Sequence, residues 1–72
     1  MRYYFHLESD ANIHIDHRGL VFAEAAEAKA HAHAVARKLS MEDKWLGWKV
    51  RVIDAANVEL CCLTILDEAR FA

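Results

Sequence analysis

A chain of 72 residues with 9 basic and 11 acidic side chains, net charge -2, has room for one domain and lacks the clustered cations of a domain built to hold nucleic-acid phosphates. An apolar fraction of 56% against 28% charged residues excludes a disordered segment, and no apolar run approaches the ~18 residues of a membrane span. A domain this small buries only about 60% of its unfolded surface, so its core is thin, and a metal, a disulfide or a second subunit would add stability.

Residues 2–8 alternate and are rich in aromatics, the pattern of a half-buried strand. Residues 9–12 have turn composition, and residues 13–16 alternate again, so the two runs read as a hairpin. Pairing Leu7 with Ile13 and Phe5 with Ile15 collects Tyr3, Phe5, Leu7, Ile13 and Ile15 on one face and leaves Tyr4, His6, His14 and Asp16 on the other. Residues 17–19 form a turn in which Gly19 can take positive φ, and Leu20, Val21 and Phe22 lead into a helix.

That helix, residues 23–39, carries a narrow apolar stripe at the helical period: Ala25, Ala28, Ala32, Val35, Ala36 and Leu39. Small side chains let it lie close on a flat partner whose bulk comes from the aromatic and β-branched runs on either side. Ala23 stands at the N-cap position, where a capping side chain is expected, and Glu24 and Glu27 place negative charge at the positive helix end. The helix can run on through residues 40–43, and Gly47 ends it.

Residues 48–54 are the clearest strand, with Trp48, Val50 and Val52 on one face. Residues 55–57 make a three-residue link whose last member, Asn57, suits the left-handed region. In the return strand, 58–66, placing Asp54 opposite Val58 sends Leu60 and Cys62 to the core and leaves Ile53, Cys61, Leu63 and Ile65 on the outer face. Residues 67–72 are a short polar tail. The predicted fold is α+β: a four-stranded antiparallel sheet, β-β-α-β-β, with the helix packed on one face, in the spatial order second, first, third, fourth strand.

The opening Arg2-Tyr3-Tyr4-Phe5-His6-Leu7, Gly19 before an Ala- and Glu-rich helix, and Gly47-Trp48 opening a strand that ends in Asp54 together resemble a family of short uncharacterised alphaproteobacterial proteins catalogued as a domain of unknown function. The resemblance spans nearly the whole chain. Members usually carry Gly in the last hairpin, where Asn57 stands here, and a capping Asp or Ser before the helix, where Ala23 stands. The resemblance implies a small bacterial cytosolic protein and supplies no catalytic residue.

The candidate sites are few. His6 and His14, opposite each other in the expected register with Asp16 nearby, would sit roughly 5 Å apart at Cβ and form a weak divalent-metal site. His31 and His33, two apart on a helix, diverge too far to chelate one ion. Chance pairing explains His6 and His14 better, so no metal and no other cofactor is expected. Cys61 and Cys62 are adjacent on a strand and point to opposite faces, so they read as reduced, packed thiols. Tyr4, His6, Lys49 and Arg51 on the open sheet face would suit single-stranded nucleic acid, against which the acidic balance speaks.

No nucleophile motif, phosphate-cradling loop or paired-carboxylate pocket marks an enzyme. Residues 2–8 are too short and polar for a signal core, so a cytoplasmic protein is expected, away from membranes. The remaining reading is a non-catalytic interaction module. It would pair with a second copy or another protein through Tyr4, Ile53, Cys61, Leu63 and Ile65, unless the tail around Phe71 or the Trp45–Leu46 segment covers that face.

Overall fold

The computed structural model describes residues 1–66. Its elements are β1 (Arg2–Glu8), β2 (Ile13–His14), β3 (Leu20–Val21), α1 (Ala25–Leu39), β4 (Lys49–Asp54) and β5 (Glu59–Thr64), with one 3₁₀ turn at Asp43–Trp45. All strands pair antiparallel in one sheet of order β2-β1-β4-β5, and β3 joins the same edge of β1 as β2, nearer its N-terminal end. The fold is the expected α+β arrangement and strand order. The lead-in to the helix adds one short strand, because Leu20 and Val21 pair with Tyr3 and Arg2. The polar tail at 67–72, with Phe71, lies outside the described residues.

The core is the layer between α1 and the sheet. Ala28 and Ala32 have no exposed surface and pack with Tyr3, Val50, Val52 and Ile65. Val35, Ala36 and Leu39 continue the stripe, while Ala25, in the first turn, is exposed. Methyl side chains at the contact let the helix backbone approach β4 and β5, whose branched side chains fill the layer. The N-cap is Glu24, not Ala23: its backbone is extended (φ -133°), and Glu27 Oε1 accepts the Glu24 N–H at 3.1 Å. The helix stops at Leu39 and does not run through 40–43. The chain turns back through Asp43–Trp45 so that Trp45 and Leu46 pack on the core, and Gly47 (φ 87°) redirects it into β4.

Two registers depart from the sequence reading. In the first hairpin, Ser9 N–H donates to Asn12 O at 2.8 Å and Ser9 Oγ accepts the Asn12 N–H at 3.1 Å. This closes the loop one residue tighter, pairing Glu8 with Ile13 and Leu7 with His14. A slip of one residue reverses every side chain, so His14 lies on the helix side beside Leu7, and Ile13 on the other.

The second hairpin turns as expected, with Asn57 at φ 66° and Asp54 Oδ1 accepting the N–H groups of Ala56 and Val58 at 2.9 and 3.0 Å. A β-bulge then shifts the pairing between Val52 and Ile53, with Cys61 opposite Val52 and Glu59 opposite Ile53. The extra residue, Leu60, packs on the core with Cys61, and the alternation beyond it is inverted. Cys61, Leu63 and Ile65, expected on the outer face, face the helix, and Ile65 is fully buried; Cys62, expected inside, is exposed.

Ala32→Leu puts three extra heavy atoms where no space exists. It should lower stability by roughly 1–3 kcal/mol, read as a lower urea midpoint with an unchanged slope; a neutral result would place the close contact elsewhere on α1.

Candidate functional site

The side of the sheet away from α1 is built by the residues that alternate with the core positions of β1, β4 and β5. Its rows are Tyr4–Ile53–Glu59, His6–Arg51–Cys62 and Glu8–Lys49–Thr64. Of the five residues expected to form an apolar surface there, Tyr4 and Ile53 are in place and Cys61, Leu63 and Ile65 are not. The face is consequently polar. Arg51 lies at its middle and bridges three strands: its Nη2 meets Glu8 Oε2 at 3.0 Å, its Nε donates to the same oxygen at 3.1 Å, and its Nη1 meets Glu59 Oε1 at 3.0 Å. Tyr4, His6, Lys49 and Arg51 do share this face, but two carboxylates neutralise its central cation, which is poor chemistry for phosphate.

His6 and His14 do not form a pair. The tighter hairpin puts them on opposite faces, and no group of three or more His, Cys, Asp or Glu side chains among the described residues could hold a metal ion. His14 instead lies among indoles, its ring centroid 5.7 Å from that of Trp45 and 5.4 Å from that of Trp48, which are 5.0 Å from each other and nearly perpendicular. His31 does likewise at the other end of the layer, 4.9 Å from Phe5 and 5.5 Å from Phe22.

The Asp16 carboxylate accepts three backbone N–H groups. β2 and β3 cover only the two ends of β1's outer edge, and Asp16 fills the gap between them. Its Oδ2 accepts the Phe5 N–H at 3.1 Å, and its Oδ1 accepts the N–H groups of Arg18 and Gly19, each at 3.0 Å. Its own N–H donates to His6 Nδ1 at 3.0 Å. Burial raises the carboxyl's pKa, but the Gly19, Phe5 and Arg18 N–H donors and the nearby His6 outweigh it, holding the group below the ordinary Asp value. Gly19 is required beside it: at φ 68°, a Cβ would stand 2.7 Å from the Tyr3 carbonyl oxygen. The bond from the Arg18 N–H to Asp16 Oδ1 makes an Asx-turn; the sequence reading found the turn at residues 17–19 and missed this role of Asp16, for which an Asp just before a Gly-ended turn was the signal.

The two thiols point to opposite faces, as their adjacency dictates, and no disulfide joins them. Burial pushes the Cys61 thiol up, Cys62 and Glu59 add to this, and Lys29 opposes it, so Cys61 is a weak nucleophile. The outer edge of β5 has no strand partner among the described residues. Ile65 N–H donates inward to Trp48 O at 2.7 Å, and antiparallel alternation then turns the N–H and C=O of Cys62 and Thr64 outward.

Asp16→Ala strands three backbone donors and should cost about 1–3 kcal/mol at neutral pH. Because the folded-state pKa is lowered, this contribution is full above the unfolded carboxyl pKa and is lost as pH falls through the folded value. The gap between wild type and variant in urea unfolding should therefore close in acid; a gap constant down to the acid limit would mean the carboxylate's charge contributes nothing.

A model of a family described as a domain of unknown function (DUF6894) matches residues 2–67 of the chain. No curated protein and no solved structure matches it.

Proposed function

The chain belongs to this family of domains of unknown function, and we propose that it serves as a non-catalytic interaction module of the bacterial cytoplasm that pairs with a second copy of itself through the outer edge of β5. One observation carries the reading: a six-residue strand, Glu59–Thr64, ends the sheet with its outward N–H and C=O groups unpaired among the described residues. Natural proteins protect such edges with Lys, Pro or inward charges. β5 has none of these, and its bulge lies at the end next to the turn.

A two-fold partner would satisfy those groups and merge two thin cores into one layer. An antiparallel β5–β5 contact centred on Leu63 would pair Cys62 of each copy with Thr64 of the other, and would set the two half-buried Leu63 side chains together on the helix side. Stacking of outer face on outer face is not proposed, because Cys61, Leu63 and Ile65 face the helix. No helix among the described residues is long and apolar enough to cross a membrane.

Light scattering after size exclusion should give about twice the 8.2 kDa chain mass at micromolar concentration. Thr64→Pro removes an outward N–H without touching the β4 ladder, so it should give single-chain mass with an unchanged circular dichroism spectrum. A wild-type mass of one chain at every concentration would sink the dimer, and a Thr64→Pro variant that stays dimeric would move the contact away from β5.

A further inference from the structure

The fold holds a second device, independent of the β5 edge. The segment from Ile15 to Gly19 crosses the unpaired middle of β1 and is tied to that middle through Asp16, its carboxylate to the Phe5 N–H and its backbone N–H to His6 Nδ1; at the strand's start Arg2 Nη1 adds a separate tie, donating to Arg18 O at 2.7 Å. A ring nitrogen that accepts an N–H must carry a lone pair, so this bond exists only while Nδ1 is unprotonated and the ring hydrogen sits on Nε2. We infer that the segment around Asp16 is a proton-responsive clasp on the edge of β1, closed by neutral His6 and loosened when His6 becomes a cation.

When a proton from solvent adds to Nδ1, two donors face each other at the 3.0 Å now spanned by one hydrogen bond. The Asp16 amide then has to turn away. The groups around the ring set the balance. On its own strand, Tyr4 and Glu8 share its face; on β4, Arg51 is opposite and Lys49 flanks it; on β5, Cys62 completes the row and Glu59 lies in the next; the clasp itself carries Asp16, His17 and Arg18. Glu8 and Glu59 are engaged with Arg51, which leaves the Asp16 carboxylate as the anion in direct reach of an imidazolium. That carboxyl, held below the ordinary Asp value, stays ionised while an imidazole titrates. Protonation therefore exchanges one tie for another: the ring stops accepting from the Asp16 backbone and instead attracts its side chain. The carboxylate is then drawn from Phe5 N–H, and the middle of β1's edge opens to solvent.

The test is amide hydrogen exchange by NMR on the full chain, from pH 8 to pH 5, expressed as protection factors so that the intrinsic pH dependence of exchange is removed. Protection of the Asp16 amide should fall about tenfold across that range, as one lost hydrogen bond requires, with Phe5 following, while Val50 and Val52 stay unchanged. His6→Asn keeps an acceptor at the same position that does not titrate, and its Asp16 protection should be flat with pH. A wild-type profile without the fall, or an equal fall in His6→Asn, would overturn the clasp. Should His6→Asn not fold, the ring ¹⁵N spectrum of wild type decides: Nε2–H at pH 8 supports the clasp, and Nδ1–H refutes it.

Discussion

Everything in this domain rests on a helix that touches the sheet through methyl groups. Ala28 and Ala32 expose nothing, and the side chains beneath them are Val50, Val52 and Ile65. Because α1 comes so close, one layer of branched residues is enough to fill the gap. The cost is that only one face of the sheet is dry. Every strand residue must take the correct side, and the two edges of the layer are finished with rings, His14 with two indoles and His31 with two phenyls.

That constraint explains which parts of the structure were legible in the sequence. The alanine stripe, the strand of Trp48, Val50 and Val52, and the left-handed Asn57 follow from periodicity and turn chemistry. Strand order followed from connectivity. The faces of β2 and β5 did not, because period-2 alternation fixes a face only relative to a known starting register. A one-residue tighter turn at Ser9 and one extra residue at Leu60 each invert everything after them. Run backwards from Ile65, the only fully buried residue after the bulge among the described residues, the alternation of β5 is correct; run forwards from Asp54 it is reversed.

The candidate site suffered from the same two slips. His6 and Asp16 do meet, although through a backbone amide and not around an ion, and His14, the third member of the expected set, is carried to the opposite face. The interface set lost three of its five residues to the core for the reason given by the bulge. What replaces them on the outer face, an arginine shared by Glu8 and Glu59, is a contact across three strands. Sequence spacing gives no sign of such a contact, because it depends on strands far apart in the chain.

The position of β1 has a consequence for how the protein is made. Within this domain β1 is synthesised before the other strands, yet it is an interior strand, paired to β4 from Tyr3–Asp54 to Glu8–Lys49. Its partner is therefore synthesised more than forty residues later, and β5 later still. Until then Tyr3, Phe5 and Leu7 can find only the short β2 and β3 pairings and the fringe of the helix. Non-local pairing of this kind folds slowly for the size of the chain, and leaves an aromatic strand open to other partners meanwhile. The nascent domain therefore carries its aromatic strand before the helix has a sheet to lie on, and in that interval the strand's edges are open to pairing with other chains.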